Sequence, residues 1–436
     1  MRRRWSALAW LGGMRVAAVV ALAATVTFTD NFDRANSTDL GTTWSTAGTS
    51  GPLQIVGNEV RAQAVDASAD EYVNTPSFSA QQWARVRVST WPAAGVNFAG
   101  AAVLYGTGSN QGYVFYAKAA DDTVALYDSA AGTDITTPAA QVVSAGDLLT
   151  IVTRTFGSTR FVSGYLNSGI LAGQLDSTTS TGQPGVFVWA DAAVGDVEVD
   201  DFSAGDVPVL IVSAGTEGSA ASGSVTAGAP SSAAVRQLWI AACHVSDTNA
   251  VSASSEWTQI VQGNGGGTTS RLALFWHRYT GTTPSLTFSH TGGQSPICGV
   301  MAFATAKDGY EVRVSGSSAV LGGTDASIEA NTVTATQDLT LQLTCFGAAD
   351  DNCMTNTDVL WLLEDSGAGT QGAYVTTAGT PDGMVGCAAW DMMSGGSGGG
   401  GPTMNASDPW ASAVVQLVAA PMSAPGALLM NPWMGR

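Results

Sequence analysis

Three kinds of side chain could do chemistry in this 436-residue chain, and what each can do depends on its neighbours in sequence. The densest acidic run is Glu198-Val199-Asp200-Asp201. Two carboxyl groups facing one cleft can hydrolyse a glycosidic bond. The run approaches an E-x-D-x-x-E pattern but lacks the last Glu, so its expected use is in structural caps or calcium ligation. Calcium gathers about six to eight oxygens from carboxylates, carbonyls and water. Asp30 and Asp33 together with Asp200 and Asp201 would supply such hard ligands if the two ends of one domain meet. Solvated turn acids are the other reading of the same four residues, and the sequence leaves both open. His244, His277 and His290 could serve as bases. His244 and His277 stand in apolar strand patterns beside Cys243 and Trp276, so hydrogen-bonded structural roles are expected, with no evident Ser or Cys partner. Gly395-Gly396-Ser397-Gly398-Gly399 satisfies G-x-S-x-G. A nucleophile elbow needs a strand before and a helix after, whereas the run from Ser394 to Pro402 reads as a flexible glycine loop.

The five cysteines, Cys243, Cys298, Cys345, Cys353 and Cys387, all fall in the second half. There is no CxxC, and scattered histidines argue against zinc. An odd count leaves at least one thiol unpaired. They are expected to be small hydrophobes buried on strands, and the sequence does not say whether any pair. Nothing here resembles an assembled active site, and the chain is expected not to be an enzyme.

Aromatic rings are the remaining candidates, because sugars present apolar faces that stack on them. Trp44, Tyr72, Trp91, Tyr105, Tyr113, Tyr116 and Trp189 lie in the first half, and most must be core. Trp91 precedes Pro92 in a loop pattern and is expected to be exposed. Tyr113 and Phe115 alternate with Val114 and Tyr116, so one pair faces outward or into a concave sheet. Trp91, Tyr113 and Tyr116 are the candidate ligand-binding residues.

The elements that must position these side chains are strands. Hydrophobic residues make up 45% of the chain and charged residues only 12%, with 52 glycines. That is poor material for amphipathic helices, which need charged wet faces. Period-2 runs such as Ala84-Arg85-Val86-Arg87-Val88, separated by Gly, Asp and Ser, predict many short strands and a sandwich or barrel. A net charge of −18 repels phosphate backbones and anionic membranes, which argues against nucleic-acid partners and stable membrane insertion.

Four segments follow. Residues 1–26 form a leader: Arg2, Arg3 and Arg4 precede an apolar run, as in a secretory signal. Arg15 interrupts the run, so a mis-assigned start at Met1, with Met14 as initiator, stays open beside it. Residues 27–206 form one β domain and 207–420 a second β-sandwich, with an extended tail over 421–436. The second domain looks duplicated. Leu238-Trp239-Ile240-Ala241-Ala242-Cys243 parallels Leu339 to Cys345, and Val300 to Phe303 parallels Val414 to Leu417.

Two motifs go beyond generic β. Asp30-Asn31-Phe32-Asp33-Arg34, followed by Leu40-Gly41-Thr42-Thr43-Trp44, resembles the opening of concanavalin-A-like (laminin-G-like) jelly-roll domains. Val197-Glu198-Val199-Asp200-Asp201-Phe202 resembles their closing strand. The resemblance covers about residues 27–206 and implies an N-terminal jelly roll in an all-β chain. Such openings are similar to those of secreted carbohydrate-binding modules and of phage minor tail proteins, and the second domain resembles tail-associated sandwiches. The resemblance therefore implies a virion structural protein, a minor tail component presenting a glycan- or host-surface-binding jelly roll. Its partners would be other tail proteins, a host-surface glycan and further copies of itself, whose number would add avidity. The alternative is a secreted bacterial adhesin or carbohydrate-binding protein.

Overall fold

The computed structural model describes residues 27–422 apart from 48–49, 107–111, 157–158, 177–180, 266–268, 293–295, 306, 308, 325–326, 349–359, 364–383 and 404–408. The leader, Cys353 and all but the first two residues of the tail lie outside the described residues. Every regular element among the described residues is a β-strand.

The N-terminal part is a jelly-roll sandwich of two antiparallel sheets. The first sheet runs Gly169–Asp176, Thr159–Leu166, Leu148–Phe156, Gln82–Thr90, Glu198–Asp206, Glu59–Ala62, Leu53–Val56. The second runs Thr133–Asp134, Thr123–Asp128, Tyr113–Lys118, Phe98–Tyr105, Gln183–Ala190, Ala67–Val73, Trp44–Thr46. The chain crosses repeatedly from one sheet to the other, so strands distant in sequence lie side by side. The opening strand Thr27–Asp30 pairs with the closing strand, Asp30 opposite Phe202. The alternation expected for Ala84 to Val88 is present: Ala84, Val86 and Val88 are buried between the sheets, while Arg85 and Arg87 point outward. Tyr113 and Phe115 enter the same core from the facing sheet.

The C-terminal part shows the duplication in its topology. One sheet has the order Leu210–Ala214, Pro296–Ala304, Leu238–Val245, Arg271–Arg278, Thr258–Asn264. Its counterpart has the order Tyr310–Ser317, Trp410–Pro421, Thr340–Ala348, Met384–Met392, Leu360–Leu363. Each repeat places its Leu-rich strand at the centre, and the two sheets share one core: Leu238, Ile240 and Leu274 from one repeat, Leu341, Leu343 and Val415 from the other. A smaller sheet covers the far side of the first repeat through Trp239, Trp257 and Phe288. The central strands are thus buried on both faces, which is why they read as continuous apolar runs.

Two expectations need correction. The cysteines are not merely small core hydrophobes: Cys243 pairs with Cys298 and Cys345 with Cys387. Each pair sits directly opposite on neighbouring strands, so the sheet itself brings the sulfurs together. The glycine run is not a loop either: Ser397–Thr403 is a strand pairing with Ser327–Thr334. Glycine composition weakens a strand but does not forbid one when a partner supplies the hydrogen bonds. With a strand after Ser397 in place of a helix, no nucleophile elbow forms.

The outward face of the first sheet docks on the second repeat. Arg154, buried, donates to Asp391 through Nε at 2.6 Å and Nη2 at 2.5 Å, and through Nη1 to the Val209 carbonyl. The Tyr165 hydroxyl donates to the Asp391 carbonyl at 2.8 Å. Val152, Tyr165 and Val207 pack on Leu339 and Met393. The jelly roll is therefore anchored by one sheet, and the described residues leave the outward face of its other sheet clear.

Candidate ligand-binding cleft

That clear face carries a cleft of about 600 Å³. Its floor follows from strand alternation. Phe98, Gly100 and Ala102 point outward from one strand, Val114 and Tyr116 from the next, Ala125 and Tyr127 from the third, and Phe187 and Trp189 from the other side. One register row crosses the sheet as Asp70, Phe187, Gly100, Tyr116, Ala125. Along this row small residues, Gly100 and Ala125, alternate with the large rings of Phe187 and Tyr116. Phe98 meets Tyr116 edge to face at 5.4 Å and Trp189 at 6.2 Å, and Tyr116 meets Tyr127 at 6.5 Å. These rings are half-buried, fixed at their bases and open at their edges.

Two carboxyl groups accompany the rings. Asp134 accepts a hydrogen bond from the Tyr116 hydroxyl at 2.9 Å at the cleft wall. Asp70 is only 7% exposed and lies at the floor. Its Oδ2 accepts from the Ser50 hydroxyl, while its buried Oδ1 has no partner. Burial pushes the Asp70 carboxyl up to about 7, with the Ser50 bond opposing. Burial likewise raises the Tyr116 and Tyr127 hydroxyls, so both stay protonated donors.

Of the three expected ligand-binding residues, Tyr116 alone lines this cleft. Tyr113 is fully buried between the sheets, a correction that follows from its parity: Tyr113 and Phe115 are the inward pair, Val114 and Tyr116 the outward one. Trp91 is half-buried and packs against the inter-sheet core, so its ring is not the exposed platform expected. Asp70, Phe98, Tyr127 and Phe187 were not anticipated. Their signal was the same alternation, but with apolar residues on both faces the sequence did not say which face was wet.

Three of the four expected calcium ligands are engaged by protein donors, and the fourth, Asp200, keeps a buried Oδ1 without a partner. Both Asp30 oxygens are taken up by Arg34, at 2.6 and 3.0 Å, by the Trp44 indole N–H at 2.9 Å and by the Phe32 N–H at 2.9 Å. Asp201 pairs with Arg87 at 2.8 Å. Asp33 accepts from the Asn31 amide. Burial raises the Asp200 carboxyl, which makes it a poorer anion. Among the described residues no group of three or more His, Cys, Asp or Glu could hold a metal ion. The opening motif is instead a latch: Asp30 ties Arg34 to Trp44, whose ring meets Phe202 of the closing strand at 4.8 Å.

The other candidates are structural too. Glu198 hydrogen-bonds Glu59, which raises Glu59 to about 7, and Arg61 and Thr90 donate to Glu198. A hydroxyl does stand beside a histidine, contrary to expectation: His244 Nε2 lies 2.8 Å from Ser270 Oγ. Both are fully buried, with the His244 ring against Gly347 of the other repeat, and burial pulls its pKa down to about 3. No substrate reaches such a pair. His290 pairs with Asp247 at 2.9 Å, and His277 bonds the Glu256 carbonyl.

Neither a family model nor a curated protein sequence matches the chain. Among solved structures, the carbohydrate-binding module CBM66 from Bacillus subtilis is similar at 16% identity and a TM-score of 0.29, over 37% of this chain and 94% of that one. A prokaryotic β-1,3-1,4-glucanase (lichenase) derived from a mouse hindgut metagenome is similar at 10% identity and a TM-score of 0.29, over 41% and 98%. A legume lectin-like domain from Entamoeba histolytica follows at 11% identity and a TM-score of 0.28, over 38% and 90%.

Proposed function

We propose that this chain binds a glycan in the aromatic cleft of its jelly roll and does so without turning it over. The observation that carries the reading is the cleft floor, where half-buried rings alternate with Gly100 and Ala125 beside the carboxyl groups of Asp70 and Asp134. Stacking on rings and hydrogen bonding to carboxyls and phenols is what a sugar, apolar on its faces and polar at its rim, requires. The setting we propose is a virion, with the second part anchoring the protein among other tail proteins and several copies adding avidity. The two disulfides favour a second setting, a secreted adhesin or carbohydrate-binding protein, because such bonds persist in oxidising compartments.

The test is a glycan array probed with the full chain, followed by calorimetry on the best ligand. Trp189→Ala and Tyr116→Ala should each weaken binding by about tenfold or more. Retention of no glycan, or affinity indifferent to both variants, overturns the reading. The intact mass of the protein from its source separates the two settings. Processing of the leader indicates secretion, and an unprocessed chain the virion.

A further inference from the structure

We infer that the cleft selects glycans bearing a free, protonated amine in place of a ring hydroxyl or acetamide. The inference rests on the glycan reading and names the class of sugar. Its ground is an imbalance of charge and hydrogen bonding inside the cleft. Two carboxyl groups face the space, and none of the described lining residues is Lys, Arg or His. The Lys and Arg side chains nearest in sequence are engaged elsewhere: Lys118 with Asp121, Arg61 with Glu198. The floor carboxyl is also incompletely satisfied. Ser50 donates to Asp70 Oδ2, while Oδ1 is buried with no donor. A buried acceptor left without a donor is costly, and such groups normally have an assigned task. The titratable groups that bear on Asp70 are the phenols of Tyr105 and Tyr127, which supply no positive charge near neutral pH.

An ammonium group over this floor meets both needs. It brings a positive charge a few ångströms above Asp70 through low-dielectric protein, where Coulomb attraction is stronger than in water. The ring faces around it add cation–π attraction, strongest where the cation is desolvated. Burial alone holds the Asp70 carboxyl up to about 7, and an adjacent cation draws it back toward the ionised form. A carboxylated sugar would place a third negative group in the same space and is disfavoured. A neutral sugar keeps the stacking but leaves the charge unanswered.

Three β-1,4-linked tetrasaccharides test this, since they differ only at C2: the glucosamine tetramer (amine), the N-acetylglucosamine tetramer (acetamide) and cellotetraose (hydroxyl). Each is titrated into the full chain by calorimetry, with wild type and Asp70→Asn compared. The amine tetramer should bind wild type at least about tenfold more tightly than the other two. Asp70→Asn keeps the shape of a protonated carboxyl, so it should fold, and it should abolish that preference, bringing the affinities of the three sugars together. Added salt should narrow the preference only modestly, because the floor charge is buried. Equal binding of all three sugars by wild type overturns the inference and leaves the glycan reading standing. A preference that survives in Asp70→Asn overturns the assignment to this floor. Failure of all three, together with an empty glycan array, sinks both.

Discussion

At the scale of single residues, the same side-chain type serves opposite ends according to its partners. Asp30 is saturated by Arg34, Trp44 and the Phe32 amide and works as a latch. Asp30→Ala should therefore destabilise the jelly roll by about 1–3 kcal/mol, since the Trp44 indole N–H and the Phe32 amide lose their acceptor while Arg34 keeps the Leu40 carbonyl. Urea denaturation measures this, and calcium or a chelator should leave the wild-type midpoint unmoved. A calcium-dependent rise would show that the latch is a metal site after all. Asp70 and Glu71 behave otherwise, because burial holds both up to about 7 in the fold. Unfolded carboxyls release their protons near pH 4, so between roughly pH 4 and 7 the folded chain binds more protons than the unfolded one. Stability must then fall as pH rises through that window, with the full penalty present above it. His244 works in the opposite direction, since it stays neutral in the fold while the unfolded imidazole takes up a proton below about pH 6.5. Glu59, raised to about 7 beside Glu198, adds to the two buried carboxyls, and together they outweigh the single imidazole, so stability falls as pH rises. The denaturation midpoint should be higher at pH 5 than at pH 7.5, and a midpoint that rises with pH over that range would remove the two carboxyls from the account.

At the scale of elements, legibility in the sequence followed burial on one face or two. Ala84 to Val88 is buried on one face, alternates cleanly and was readable residue by residue. Tyr113 to Lys118 carries apolar residues on both faces, one to the core and one to the cleft, so alternation located a strand but not its wet side. That is why Tyr113 and Tyr116 were named together and only Tyr116 lines the cleft. The duplicated Leu-rich strands were visible as apolar runs because both of their faces are covered. The disulfides were not visible, since opposition across a ladder depends on register, which spacings of 55 and 42 residues do not encode. Each closes a long loop in the unfolded chain, which the chain-entropy model values at about 4 kcal/mol. Each also joins strands already hydrogen-bonded to one another, so their local geometry needs the bond little. Cys243→Ala/Cys298→Ala and Cys345→Ala/Cys387→Ala should each fold and each lower stability by up to about that amount, as read by guanidinium denaturation. A double variant that fails to fold at all would mean the bond is needed to set register.

At the scale of the molecule, the question is what holds the jelly roll to the duplicated sandwich so that one sheet is anchored and the cleft looks away. The contact has a polar centre, and its energetics are those of a buried ion pair. Arg154 and Asp391 are both essentially inaccessible, at 1% and 0% side-chain exposure, and they are paired through two nitrogens. Satisfied, such a pair contributes little net stability, because desolvation offsets attraction. Broken, it leaves one charge buried alone, which costs about 3–5 kcal/mol. Asp391→Asn keeps the side-chain volume and removes the charge that answers Arg154. The exposed Arg85–Asp338 bridge at the same contact has one partner 42% exposed and contributes far less. Loss of the buried pair should therefore weaken the coupling of the two parts without unfolding either, since, apart from Phe161 of the jelly roll packed into the sandwich core, each keeps its own apolar core. Calorimetry should show one transition in the wild type and two in Asp391→Asn, and scattering should report a larger radius of gyration. The cleft lies on the opposite sheet, so its affinity for a single short glycan should be unchanged. Binding to a surface dense in that glycan should weaken, because several clefts then no longer share a fixed orientation. A variant that keeps a single transition at wild-type temperature would show that the apolar contacts of Val152, Tyr165, Leu339 and Met393 suffice, and that the ion pair sets only the angle at which the cleft is presented.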